Sequence, residues 1–295
     1  MVNLVKGQIR QSLSGYYDVM GEDGVEYRTR ARGNFRKKGQ TPLVGDLVEL
    51  KAEKVDQGYL LKIYPRKNQL VRPPVANIDT AVVVTAVKEP DFAANLLDRQ
   101  LLMLENHGIR PVIYFSKCDL LSEDEASEFA ELATYYDRYY HTYMSNQDQV
   151  VASLMANLKD EVVVFMGQTG AGKSTLLNAI EPDLQLETGE ISKALSRGRH
   201  TTRKVTLIPI RESLLADTPG FSSFELLDVT VTDLPTLYPE FRQYQVNCKY
   251  RGCLHLKEPK CAVKEAVAAG EILQSRYDNY CQLNELLANQ KPKYR

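Results

Sequence analysis

Eight consecutive residues constrain this chain more than any others: Gly167-Gln168-Thr169-Gly170-Ala171-Gly172-Lys173-Ser174 spell G-x-x-x-x-G-K-[ST]. Val162 to Met166 before them form an apolar run that reads as a buried strand. Thr175 to Ile180 after them read as helix. A strand, a glycine loop and a helix in direct succession commit this region to an α/β layer. The glycines let successive N–H groups curl inward, and the helix N-terminus adds partial positive charge, so the loop is a cradle for phosphates. Lys173 is placed to reach the β- and γ-phosphates, and the Ser174 hydroxyl to ligate a Mg²⁺ between them.

Residues 69–225 alternate strand and helix around that loop. Ile78 to Val87, Pro111 to Phe115 and Tyr139 to Tyr143 read as strands; Asn95 to Asn106, Glu123 to Tyr136 and Gln147 to Leu158 read as helices. The pattern is that of a doubly wound α/β domain, with ligand groups expected at the carboxyl ends of the strands. At one such end stands Ser116-Lys117-Cys118-Asp119, close to the [NT]-K-x-D element of GTP-binding proteins. An ionised Asp only accepts hydrogen bonds. Guanine offers it N1–H and the 2-amino group, whereas adenine presents a lone pair, so Asp119 reads guanine and Lys117 packs along the base. Ser116, in place of Asn or Thr, is expected to make a shorter tether to the phosphate loop. Ser145, at the end of the next strand, is a candidate support for Asp119 or for the guanine O6 edge.

Asp217-Thr218-Pro219-Gly220 supplies a D-x-x-G element after the strand Leu214 to Ala216. Asp217 is expected to hold Mg²⁺ through water, and the Gly220 N–H to sense the γ-phosphate. The basic stretch from Ser192 to Arg203 between these motifs reads as a first switch, in which Thr201 or Thr202 closes on Mg²⁺. Thr202 is favoured because it lies nearer the next strand. Phe221 stands where many GTPases carry a water-positioning Gln, so intrinsic hydrolysis should be slow. His200 is the replacement expected to orient the attacking water. Because the base reader precedes the phosphate loop, the domain reads as circularly permuted, and the D-x-x-G segment leads directly into the C-terminal part of the chain.

Net charge is −1, but residues 1–67 hold 13 Lys and Arg against 8 Asp and Glu, a surplus of five. Five short β-type runs there, Lys6 to Arg10, Tyr16 to Val19, Val25 to Ala31, Asp46 to Lys51 and Tyr59 to Ile63, suggest a small OB-type barrel. Alternation puts Val25, Tyr27, Thr29 and Ala31 on one face and Arg28, Arg30 and Arg32 on the other. With Arg36, Lys37 and Lys38 in the next loop, and Tyr16 and Tyr17 as stacking planes, this surface suits a nucleic-acid backbone with unpaired bases. A solvated basic face is the plainer alternative.

Residues 226–295 carry Cys248-x₄-Cys253-x-His255-x₅-Cys261, three thiolates and an imidazole that make a closed four-ligand set for one structural Zn²⁺. Little else in the segment promises an early core. Lys249, Tyr250 and Arg251 form a basic knuckle between ligands. Ala262 to Ala269 and Ile272 to Ala288 read as helices, followed by a basic tail from Lys291 to Arg295. No stretch approaches the roughly 20 apolar residues of a membrane span, and Met1 to Lys6 open no signal peptide, so a cytoplasmic protein is expected.

Taken together, these motifs resemble the ribosome-small-subunit-dependent GTPases, the RsgA/YjeQ family, over essentially the whole chain, with Arg72-Pro73-Pro74-Val75-Ala76-Asn77-Ile78-Asp79 similar to the family's linker. The resemblance implies an OB-fold (1–68), a circularly permuted P-loop GTPase domain (69–225) and a mostly helical zinc-binding domain (226–295). It implies a late maturation factor whose GTP hydrolysis to GDP is stimulated by the small (30S) subunit, acting as a monomer on ribosomal RNA. It extends the GTP site over Gly167 to Thr175 and Ser116 to Asp119, and the zinc site onto Cys248, Cys253, His255 and Cys261. Two other classes compete: an RNA-binding GTP switch with little hydrolysis, and an ATP-using enzyme on the same loop, which Asp119 disfavours.

Overall fold

The computed structural model describes residues 3–33, 35, 39–70, 74–184, 205–217 and 229–290. Strands β1 (Asn3–Leu13), β2 (Tyr16–Gly21), β3 (Glu26–Ala31), β4 (Leu47–Lys54) and β5 (Gln57–Ile63) follow one another in the order β1-β2-β3-β5-β4, and β4 returns to β1. The β3–β5 pair is parallel and the other pairs antiparallel, which makes a closed five-stranded Greek-key barrel of the OB kind. In β3 the alternation holds: Tyr27 and Thr29 are buried, Arg28 and Arg30 exposed. Two expectations fail locally. Val25 is exposed because it closes a turn, its carbonyl accepting the Gly21 N–H, instead of opening the strand. Tyr17 does not stack beside Tyr16; neighbours in a strand point to opposite faces, and Tyr17 enters the barrel core. Arg36, Lys37 and Lys38 lie outside the described residues.

After a two-stranded ribbon of β6 (Gln69–Leu70) and β7 (Val75–Ala76), the chain builds β8 (Thr80–Ala86), β9 (Arg110–Ser116), β10 (His141–Met144), β11 (Val162–Met166), β12 (Val205–Ile210) and β13 (Ser213–Asp217). Their order is β10-β9-β8-β11-β13-β12, parallel except for the antiparallel β12. Helices α1 (Ala94–His107), α2 (Glu123–Asp137), α3 (Val150–Asn157) and α4 (Lys173–Ile180) cover the two faces. β8 is buried throughout, and alternate residues serve opposite layers: Val83 packs in one apolar cluster, Val82 and Val84 in the other. That is the continuous apolar strand of a parallel sheet covered on both sides.

Barrel and sheet are spliced. β1 runs for 11 residues, well beyond the expected Lys6 to Arg10, and its far end pairs with β12, so that one 11-stranded sheet passes through both. One apolar cluster accordingly extends from Ile9 and Val19 in the barrel to Ile113 and Val164 in the sheet.

The C-terminal region contributes α5 (Pro239–Tyr244), α6 (Ala262–Ala268) and α7 (Gln274–Ala288). It builds a firmer core than its sequence suggested: Tyr238, Phe241, Ile272 and Tyr280 are fully buried, together with Leu102 from α1. The region is seated on α1 by polar contacts as well. Asn95 donates to Asn279 (3.1 Å), and Arg276 pairs with Asp98 (2.5 Å).

Candidate nucleotide site and metal centre

β8 lies between β9 and β11, so the ends of those two strands are two strand spacings apart, about 10 Å. They flank the point where the sheet order reverses, the place an open α/β sheet reserves for a ligand. The phosphate loop leaves β11 through Gly167, whose φ of 144° and lack of a side chain are both required: a Cβ there would stand 2.0 Å from the Val84 carbonyl oxygen. Gly172, also at positive φ, caps α4. Lys173 Nζ donates to the carbonyls of Gly167 (2.6 Å) and Gln168 (2.8 Å), and burial pushes its pKa down. These carbonyls take two of the three N–H donors of the ammonium, which leaves one for a phosphate oxygen. Ser174 is buried on the first turn of α4, while Thr169, Gly170 and Thr175 are exposed.

The S-K-C-D loop touches this cradle. Ser116 Oγ donates to the Ala171 carbonyl (2.6 Å), with the Thr85 carbonyl at 3.3 Å. The short side chain thus reaches the loop's backbone, and Gly172 packs beside it: a Cβ there would sit 3.4 Å from both Ser116 Cβ and Oγ. Lys117 adopts a left-handed backbone (φ 60°), and its Nζ donates to the Glu89 carbonyl. Asp119 opens onto solvent and its carboxylate pairs with no described residue. Ser145 Oγ accepts the Cys118 N–H (3.1 Å), so it holds the loop's backbone instead of touching Asp119. The segment after β8, around Glu89 and Pro90, meets both motifs, since a Cβ on Gly170 would lie 3.7 Å from Pro90 Cδ. Sequence reading missed that segment; it carries no motif and enters only because β8 ends between the two loops.

The D-x-x-G strand is in place, with β13 ending at Asp217 beside β11. Thr201, Thr202, His200, Gly220 and Phe221 lie outside the described residues, as do Arg72 and Pro73 and the tail 291–295.

Cys248, Cys253, His255 and Cys261 converge, with all four ligand atoms within 4.8 Å of one another. His255 Nδ1 stands 3.3 Å from Cys261 Sγ and 3.7 Å from Cys248 Sγ, and the two sulfurs are 3.9 Å apart. A tetrahedral Zn²⁺ with Zn–S near 2.3 Å has edges of about 3.8 Å, so these residues fit the ion. On protein atoms alone, burial pushes the Cys253 and Cys261 thiols up, Cys261 to about 12. α7 grips the knuckle: Tyr277 OH donates to the His255 carbonyl (2.6 Å) and Tyr280 OH to that of Leu254. Lys249, Tyr250 and Arg251 project outward, Lys249 Nζ 5.2 Å from the Tyr250 ring.

On the barrel, Arg28 and Arg30 stack on Tyr16, at 4.7 and 4.3 Å from its ring, and Arg32 lies 5.9 Å from that of Tyr59. These side chains line a cleft of about 630 Å³.

The model of the family described as RsgA GTPase matches residues 63–227, and that of the RsgA N-terminal domain matches residues 6–60. A protein of Limosilactobacillus reuteri named small ribosomal subunit biogenesis GTPase RsgA is 58% identical over 98% of this chain and 99% of its own. A protein of the same name from Limosilactobacillus fermentum is 58% identical over 98% of each chain. Among solved structures, YloQ, titled a circularly permuted GTPase, superposes with a TM-score of 0.84 at 40% identity, over 99% of this chain and 98% of that one. YjeQ from Thermotoga maritima gives 0.85 at 30% identity, over 98% and 100%.

Proposed function

The chain belongs to the RsgA GTPase family, and from that premise we propose that it serves the small ribosomal subunit late in its maturation, hydrolysing GTP to GDP and phosphate when the subunit is engaged and leaving it afterwards. It is a GTP-hydrolysing enzyme of circularly permuted fold. The observation that carries the reading is the Ser116 to Ala171 hydrogen bond, which joins a guanine-reading loop to a phosphate-binding loop at one carboxyl edge of the sheet.

In this reading Asp119 and Lys117 take the base, with Ser116 and Cys118 shaping their loop. Gly167 to Thr175 hold the phosphates. Ser174 and Thr202 ligate Mg²⁺, Asp217 supports it through water and Gly220 senses the γ-phosphate. Cys248, Cys253, His255 and Cys261 hold one structural Zn²⁺ per chain. Arg28, Arg30 and Arg32, joined by Arg36, Lys37 and Lys38, face ribosomal RNA. The three segments 1–68, 69–225 and 226–295 act as barrel, GTPase and zinc domains of a cytoplasmic monomer. Among the described residues no helix is long and apolar enough to cross a membrane.

Two results test the assignment. Asp119→Asn replaces an acceptor of the 2-amino group with a side chain that can also donate, so it is expected to turn the preference from guanine to xanthine nucleotides, read by competition binding. Unchanged guanine preference removes Asp119 as the reader. His200→Ala is expected to abolish the turnover stimulated by small subunits, by about 10²-fold or more, with nucleotide affinity intact. Equal stimulated rates refute that role. A wild type that binds GTP and small subunits without turnover would point to the RNA-binding switch that Phe221 allows.

A further inference from the structure

The D-x-x-G aspartate and the basic cleft of the barrel stand on one cross-strand rung. Asp217, the last residue of β13, is opposite Thr206 of β12. Thr206 is opposite Gln11 of β1 on its other side. Gln11 is opposite Asp18 of β2, and Asp18 opposite Arg28 of β3. Four strand spacings put the ends about 19 Å apart along the sheet.

The rung narrows at one place. β1 and β12 share two register pairs, Gln11 with Thr206 and Ser12 with Val205, whereas β12 and β13 share five. The pairing of β1 with β2 slips between Ile9 and Gln11, which leaves Arg10 as a bulged residue. A bulge bends its strand, and here it marks where β1 leaves the barrel to meet β12. Just past the bulge, Gln11 Nε2 donates to Asp18 Oδ2 at 3.1 Å, a side-chain bond laid over the main-chain rung. The strand that carries Asp217 therefore cannot shift relative to the barrel without straining two register pairs and whatever Gln11 holds beyond them.

We propose that this rung couples nucleotide state to the grip of the Arg28 cleft on single-stranded RNA, with Gln11 as the positioning residue at the splice. The inference rests on the functional reading above, in that Asp217 supports Mg²⁺ through water and so answers to the nucleotide state, and that the Arg28 cleft faces RNA. Coupling between binding sites is reciprocal: if a GTP analogue changes RNA affinity, RNA changes the affinity for the analogue by the same factor, in the range of about 5- to 150-fold.

The test uses the full, zinc-loaded chain, a labelled 12-nucleotide uridine oligomer, and GDP or a non-hydrolysable GTP analogue, at one salt concentration. The wild type is expected to bind the oligomer with affinities differing at least about 5-fold between the two nucleotides, and to return the same factor when analogue binding is measured with and without oligomer. Gln11→Glu sets two carboxylates opposite each other and is expected to shrink the factor. Adding Asp18→Asn restores a donor and acceptor with their places exchanged, and is expected to bring the factor back. A defect that arises away from the Gln11–Asp18 contact would not be repaired by that exchange, and one that only loosens the fold would weaken both ligands without changing the factor between them. If both ligands bind with a factor of one, or if Gln11→Glu leaves the factor unchanged, the coupling is overturned and the functional reading stands. If guanine nucleotides or the oligomer fail to bind the wild type at all, that reading falls first and takes the coupling with it.

Discussion

Stripping the zinc proposed at Cys248, Cys253, His255 and Cys261, by chelator or through Cys261→Ser, is expected to unfold residues 229–290 while leaving guanine-nucleotide binding in place. The four ligand atoms converge from Cys248 to Cys261, a stretch held otherwise by a few turns and by Glu258, which accepts the N–H groups of Leu254 and Leu256. Zinc binding in such modules contributes on the order of 10 kcal/mol to folding, as much as the whole stability of many domains. The loss should spread to α7, because Tyr277 and Tyr280 bond to carbonyls beside the ligand His255 and the Phe241 ring meets that imidazole edge-on at 5.6 Å. The phosphate loop and the S-K-C-D loop leave strands of the 11-stranded sheet, to which residues 229–290 contribute no strand, and neither holds any of the four clustered Cys and His residues. Limited proteolysis and hydrogen exchange, with bound metal quantified alongside, check this. A metal-free chain whose α7 amides remain as protected as in the loaded protein would contradict it.

Arg276→Met is expected to destabilise the protein by about 3–5 kcal/mol, because it strands two buried carboxylates. Arg276 is 1% exposed, and its guanidinium meets Asp98 at 2.5 Å and Glu240 at 2.6 Å. The cluster carries two carboxylates for one cation. Burial pushes Asp98 up, and Arg276 opposes it, aided by the Asn279 amide (2.6 Å) and the Tyr136 hydroxyl (3.0 Å). Tyr238 lies under the guanidinium, 4.7 Å from its ring centre. Since Asp98 belongs to α1 and Arg276 to α7, this pair fixes the C-terminal region onto the GTPase sheet. Adding Asp98→Asn and Glu240→Gln removes the stranded charges while keeping polar atoms, and is expected to recover much of the loss. Urea unfolding of the zinc-loaded variants measures both. An Arg276→Met protein within about 0.5 kcal/mol of wild type would show that the pair holds nothing together.

Legibility varied with the range of the interaction. The phosphate loop was legible because its glycines, lysine and serine act within one turn of backbone. The Cys/His cluster was legible because its four members fall within 14 residues, from Cys248 to Cys261. The barrel strands were legible from alternation, though not the end of β1, whose last residues are shaped by a partner strand almost 200 residues away. Ser116 looked like a weak substitute for a longer side chain; the Ala171 carbonyl, 55 positions on, comes to within 2.6 Å of its hydroxyl. Nothing in the sequence marked Asp98, Glu240 or Arg276, because isolated charges on helices usually face water and only packing shows when they do not.

The sequence by itself determined which residue types stand together for the chemistry proposed: glycines with a lysine and a serine for phosphates, a carboxylate for guanine, and three cysteines with a histidine for a metal. Each depends on residue type at short spacing, which the backbone fixes locally. Only the tertiary structure decided how these parts are joined: the Ser116 tether, the buried Arg276 between α1 and α7, and the two register pairs that splice the barrel into the sheet. Those joints are contacts between distant segments, and their strength comes from burial and from strand register, neither of which exists until the chain has folded.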